Sequence, residues 1–197
     1  MIDWENMLFQ SIGLSRISRI IPQIPDITPS PIKGALINIM LPSFHYLEIV
    51  TVLDEALTEY IVSKNIHWPK NKKRDLFNRI NLVSIILPII NADQLQSIRE
   101  RRNAFAHEPR LVFTNPITWD EYNLAEECIC KAMKEMNFIK DIPNISAFFQ
   151  RNPALYLDEL GPEGEVIRHE FIIGANLNET AFMEFKQGIS YFPPTKT

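Results

Sequence analysis

Between residues 34 and 139 apolar side chains return at steps of three and four, the period of a helix with one buried face. Leu47, Val50, Leu53, Leu57 and Ile61 fall on one such stripe, and Pro42 before them should kink or begin that helix. A second stripe starts near Asp75 and passes through Leu76, Ile80, Val83, Leu87 and Ile90. A third helix is predicted from Asn91, which with Gln94 has the N-cap and N3 chemistry of a capping box, to near Pro109. The fourth opens on Thr118-Trp119-Asp120-Glu121, another such box, and carries Tyr122, Ala125, Ile129, Met133 and Met136 on its apolar face. Four amphipathic helices with short connections predict a bundle.

The flanks break this period. Residues 1–33 hold a short helical start and then Pro22, Pro25, Pro29 and Pro31, a spacing that forbids regular helix and predicts an extended arm. Residues 140–197 change to alternation. Leu160-Gly161-Pro162-Glu163-Gly164 reads as a turn, and residues 165–173 as a strand with Ile167, Phe171 and Ile173 on one face and Arg168 and Glu170 on the other. Residues 181–186, with 189–192 as a further candidate, should pair with it. The expected fold is therefore mainly α: an arm (1–33), a four-helix bundle (34–139) and a small antiparallel β-sheet (140–197).

Composition excludes several classes. With 46% of its 197 residues apolar and 22% charged, the chain is too hydrophobic for a disordered tail. The longest run without Asp, Glu, Lys or Arg, residues 34–47, is shorter than the ~20 residues needed to span a bilayer. The amino terminus lacks the basic start and small-residue cleavage site of a signal peptide, so the expected compartment is the cytoplasm and no membrane partner is expected. Cys128 and Cys130 lie two positions apart in a helical pattern, about 200° around the axis from each other, which fits two reduced thiols.

The net charge of −4 disfavours nucleic acid until it is divided along the chain. Residues 1–140 carry 16 Lys and Arg and 16 Asp and Glu, whereas residues 141–197 carry 4 and 8. The deficit belongs wholly to the tail. The bundle keeps a basic stretch, Lys64, Lys70, Lys72, Lys73, Arg74 and Arg79, with only Asp75 against it and His67-Trp68 inside it. Such a stretch can guide an RNA backbone, with Trp68 as a stacking surface, or can simply be a solvated loop.

The third helix carries the unusual chemistry. Its apolar stripe contains Leu95, Ile98, Phe105 and Ala106, and Arg102 falls in the middle of it. A guanidinium among core positions is unfavourable unless it is paired or opens onto a polar cavity. Arg99, Asn103 and His107 run along one side at four-residue spacing. Two readings follow from the residue types. In one, Arg102 pairs with Asp54 or Glu55 and His107 caps the helix; in the other, these groups handle a phosphate.

The segment Arg102-Asn103-Ala104-Phe105-Ala106-His107 resembles the Arg-Asn-x-x-x-His signature of HEPN domains, the higher eukaryotes and prokaryotes nucleotide-binding family. Its setting, at the end of the third helix of a bundle over residues 35–138, is similar too. The resemblance implies a metal-independent endoribonuclease without cofactor, a toxin or defence effector acting as a homodimer whose motifs face one cleft. Arg102 would then stabilise the phosphorane, His107 would be general acid or base for attack of the 2′-hydroxyl, and Asn103 would orient His107 or the phosphate. The product would be a 2′,3′-cyclic phosphate. Arg99, Lys70, Lys72, Lys73 and Arg74 would bind RNA.

Physical chemistry fits these roles. Imidazole titrates near neutrality, and guanidinium offers a planar fork to phosphate oxygens. Among His45, His67, His107, His169 and the two cysteines no metal-ligand spacing occurs. One difficulty remains: Arg102 and His107 lie about 140° apart on an ideal helix. Either the helix distorts before Pro109 or two subunits combine their groups, and the latter predicts a homodimer. HEPN toxins paired with a nucleotidyltransferase antitoxin usually carry tyrosine two positions after the histidine; Pro109 stands there, which weighs against that antitoxin and leaves another antitoxin or regulatory protein open. The alternatives are a HEPN-like module that binds RNA, a nucleotide or a protein without cutting, and a helical interaction protein with Arg102 in a core ion pair. His45 and His169 are expected to be structural or exposed.

Overall fold

A computed structural model describes residues 2–20, 31–108, 110–142, 150, 154–160, 162, 165–175 and 181–191. The chain divides into two compact units, Met1–Pro143 and Asn144–Thr197. The first is helical: α1 (Trp4–Ile20), α2 (Pro31–Ser63), α3 (Leu76–Ile86), α4 (Ala92–His107), the single turn α5 (Leu111–Thr114) and α6 (Trp119–Glu135). The second holds β1 (Ala154–Leu160), β2 (Val166–Ala175) and β3 (Ala181–Tyr191). No helix among the described residues is long and apolar enough to cross a membrane.

The 33-residue helix α2 is the spine of the first unit. It buries Tyr46, Ile49, Val50, Val52, Leu53, Ala56, Leu57, Tyr60 and Ile61, a wider face than one stripe, because helices pack on it from more than one side. Pro31 stands at the first helical position, where its missing N–H removes no bond. Pro42 neither begins nor ends the helix but lies inside it, leaving one carbonyl a turn earlier without its usual donor. The helix ends in a Schellman motif. Asn65 takes φ 51°, and the amides of Asn65 and Ile66 bond back to the carbonyls of Val62 and Ile61. Helix α6 closes identically at Asn137, φ 61°.

Residues 1–33 do not behave as an arm over their described part. α1 runs 17 residues and buries Trp4, Leu8, Phe9, Ile12 and Ile17 in the core. Polar contacts fix it: Trp4 Nε1 donates to Glu59 at 2.9 Å, Arg16 pairs with Glu126, and Arg19 donates to Asn123 while lying 4.3 Å from the Trp119 ring centroid. Buried His45 bridges α1 and α2, with Nε2 2.7 Å from Ser18 Oγ and Nδ1 3.2 Å from Glu48. Residues 31–33 belong to α2, and the prolines at 22, 25 and 29 lie outside the described residues.

The other helices follow local rules. Asp75 caps α3 by accepting from the Asn78 amide at 3.0 Å. The α3 stripe stops earlier than its spacing predicts: Pro88 disfavours helical geometry at Leu87, which becomes the C-cap, and Ile90 is buried from the following turn. Asn91 caps α4 through the Gln94 amide, while the Gln94 carboxamide oxygen lies toward Cys128 Sγ. Thr118 and Glu121 complete the full capping box of α6, whose Tyr122, Ala125, Ile129, Met133 and Met136 are all buried. Cys128 and Cys130 are both free.

In the second unit β1–β2–β3 form one antiparallel sheet. Ala154 pairs with Ile172 and Leu160 with Val166; Val166 pairs with Tyr191 and Ala175 with Ala181. A bulge falls where Glu170 opposes Gln187 and Phe171 opposes Phe185. Residues 189–191 continue β3 rather than form a separate strand, and β1 is an element the alternation did not predict. Of the predicted turn Leu160, which ends β1, and Pro162 fall within the described residues, and the side chains of Phe171 and Ile173 lie outside them.

Two outcomes follow. Leu8→Ala should destabilise the chain by about 2–5 kcal/mol in urea unfolding, a core penalty that an arm outside the bundle would not show. Burial, chiefly, pushes the Cys130 thiol from 9.0 up to about 12 and raises the Tyr46 and Tyr122 hydroxyls. The unfolded chain therefore loses these protons first, so stability should fall as pH rises from about 9 toward 12, read as a falling urea midpoint.

Candidate functional site

Helix α4 is held on three sides before its motif is reached. Leu95, Ile98 and Phe105 bury its inner face, and the Tyr46 hydroxyl of α2 donates to the Ile98 carbonyl at 3.3 Å. Gln96 Nε2 donates to the Phe77 carbonyl and to Asn81 Oδ1, each at 3.0 Å, tying α4 to α3. Arg101 reaches the other way, to Glu121 at 3.0 Å and to the carbonyls of Asn115 and Pro116. Arg101 is thus a structural clamp, and the neighbouring arginines are not.

Arg102 and Asn103 are half-buried and line a cavity of about 370 Å³ at the junction of α2, α3 and α4. Arg74, Arg79 and Arg99 line it as well, with Asp54, Asp75, Phe77, Leu76, Val50 and Thr51. Four guanidiniums therefore face two carboxylates, and both carboxylates are committed. Asp54 pairs with Arg79, and Asp75 caps α3. The Asp54 partner expected for Arg102 is thus taken by Arg79. Arg102 instead donates from Nη1 to Asn103 Oδ1 at 3.2 Å, and has no carboxylate within ion-pair distance among the described residues.

Arg99 contributes differently. It pairs at 2.9 Å with the exposed Glu100, and its guanidinium lies 5.1 Å from the Phe77 ring centroid. Its Nε is buried with no hydrogen-bond partner among the described residues. A buried donor left unmatched is costly. The amino-terminal end of α3 opens on the same space and adds positive potential to it. An anion with several oxygens, such as a phosphate, matches this donor set.

The other predicted residues are placed apart. His107 is exposed at the last position of α4 and is not among the residues lining the cavity. The helix stays regular to that point, closed by the Glu108 amide on the Ala104 carbonyl at 2.9 Å, so no distortion turns His107 toward Arg102. Ala106, predicted in the apolar stripe, is exposed. Lys70, Lys72 and Lys73 are exposed in the connection before α3, outside the cavity lining. Pro109 and the His169 side chain fall outside the described residues. Among those residues no cluster of three or more His, Cys, Asp or Glu is arranged to hold a metal ion.

Asp54 and Arg79 were each named from the sequence, one as a partner for Arg102 and the other in the basic stretch, but not as a pair. Asp54 and Arg79 meet across α2 and α3, 25 positions apart in the chain. The available signal is Arg79 itself, a charge set beside Ile80 in the α3 stripe. A second cavity, about 630 Å³, adjoins the first and shares Arg74 and Arg79 as lining residues. Its remaining walls are Thr58, Ile61, Val62, Asn65, Ile66, His67 and Trp68.

No family model, curated protein or solved structure matches the chain. Because Arg102 carries no ion pair among the described residues, Arg102→Ala should shift the unfolding free energy by no more than about 0.5 kcal/mol. Leu95→Ala, two turns earlier on the same helix and fully buried, should cost about 2–5 kcal/mol in the same urea titration.

Proposed function

We propose that the helical unit is an endoribonuclease of HEPN type that cleaves RNA by 2′-hydroxyl attack without a metal, in a site shared between two subunits of a homodimer. The observation that carries this reading is the commitment pattern of the arginines. Arg79 is neutralised by Asp54 and Arg101 by Glu121, whereas Arg102, within the motif, has no carboxylate partner among the described residues and sits beside Asn103 in a cavity suited to phosphate. A guanidinium held uncommitted there can stabilise a pentavalent phosphorane as its charge develops. Asn103, whose carboxamide oxygen is engaged by Arg102, leaves its amide nitrogen for a phosphate oxygen. Lys70, Lys72, Lys73 and Arg74 draw the RNA backbone toward the cavity.

The position of His107 favours a second subunit. On its own helix it lies apart from Arg102, so the general acid or base for one phosphate comes from the facing copy. A regulator or antitoxin that covered this face would silence the protein, and a toxin or defence role follows from unrestrained RNA cutting. The exposure of His107 also favours a second reading, a module that binds RNA, a nucleotide or a protein without cleaving it.

Cleavage of structured RNA in EDTA tests both. Under the nuclease reading, Arg102→Ala and His107→Ala each lose about 100-fold or more in rate with folding intact. Mixing the two inactive variants should restore cutting, because a heterodimer assembles one complete site from Arg102 of one subunit and His107 of the other. Binding without cutting by the unaltered protein selects the second reading. Cutting that survives in both variants sinks the assignment.

A further inference from the structure

The cavity beside Trp68 has no role in phosphate chemistry, yet it shares a wall with the site that does. Its lining is mixed: aliphatic Ile61, Val62 and Ile66, the indole of Trp68, and a few polar groups from Thr58, Asn65 and His67. A volume near 630 Å³ lies within the roughly 300–1,000 Å³ of sites that enclose a small organic group. Arg74 and Arg79 stand between this space and the arginine cavity, lining both.

We infer that this second cavity is a base-binding subsite, which takes one unstacked nucleobase of a single-stranded RNA while the attached phosphate lies against Arg74 and Arg79. The inference rests on reading the arginine cavity as an RNA phosphate site, and it narrows the substrate from RNA to RNA with an unpaired nucleotide there.

Three features support it. The indole N–H of Trp68 donates to the Lys72 carbonyl at 2.8 Å, which pins the ring and leaves its π-surface as what it offers to the cavity. The same bond ties the ring to the basic connection at Lys72, whose amide bonds the Pro69 carbonyl at 3.1 Å. Val62, on the last turn of α2, is 68% exposed, an apolar surface that a flat aromatic ligand would cover. A base held in a duplex is stacked on both faces and cannot enter such a space, so single strands, loops and bulges are the class admitted.

Fluorescence anisotropy with three labelled probes of equal length tests this: single-stranded oligouridylate, the same strand with abasic riboses, and a blunt RNA duplex. The full chain should bind oligouridylate about tenfold more tightly than the abasic strand, the scale of one base–aromatic stack. Trp68→Ala should bring the two to near parity, with the thermal melt still cooperative. Trp68→Phe should keep most of the preference. Equal affinity of the unaltered protein for oligouridylate and abasic strand, a preference for duplex, or a preference that survives Trp68→Ala would each overturn the subsite. The nuclease reading fails separately: base preference that depends on Trp68, with no cutting in EDTA, removes catalysis and leaves the subsite standing.

Discussion

The helical unit depends on one constraint, that α2 must bury a broad apolar face from Tyr46 to Ile61. Leu53, Ala56 and Leu57 are wholly shielded from solvent, and a surface of that breadth cannot be covered by one partner. Helices α1, α3, α4 and α6 each take a share of it. Each large side chain buried there contributes roughly 1.5–3 kcal/mol, so the arrangement of helices is set chiefly by apolar area and only trimmed by polar contacts. The arginine cavity is a by-product of this arrangement. Where α2, α3 and α4 converge, Val50, Thr51 and Asp54 form one wall and Arg99, Arg102 and Asn103 another.

Within that junction the charges are sorted by reach. Asp54 could have met Arg102, but Arg79 approaches it from α3 and takes it. Arg101 is drawn to Glu121 and to the carbonyls that end the α5 turn. What remains for Arg102 is its own neighbour, Asn103. Two successive arginines thus have opposite fates: one holds two helices together, and the other keeps its guanidinium available. Helical geometry alone enforces this, since adjacent positions differ by about 100°.

Much of the architecture was legible in the sequence because it is written in local terms. The α6 stripe and its Thr118–Glu121 box need only a period and a cap. The α3 stripe showed the limit of that method: the spacing runs through Leu87 to Ile90, but Pro88 ends the helix first. α1 read as part of an arm because its apolar pattern is weak beside the prolines that follow it, and its burial comes from fitting α2 and α6. β1 escaped because Asp158 and Glu159 interrupt its alternation, and only pairing with β2 supplies the missing order. For the site, Arg102 and Asn103 were marked by position on one helix. The pairing of Asp54 with Arg79, and the entry of Arg74 into the same cavity, are tertiary facts that no spacing encodes.

Arg74 and Arg79 form a common wall between two cavities, and that has a thermodynamic consequence. A charge placed in either space acts on the other through the same two guanidiniums. Linkage then requires reciprocity: whatever factor an occupant of one cavity imposes on the affinity of the other is returned in equal measure. Asp54, held by Arg79, sits at the pivot of that exchange, because an anion that draws Arg79 away also releases a carboxylate into the first cavity. Any coupling between occupants of the two spaces runs through the pair of arginines that lines both.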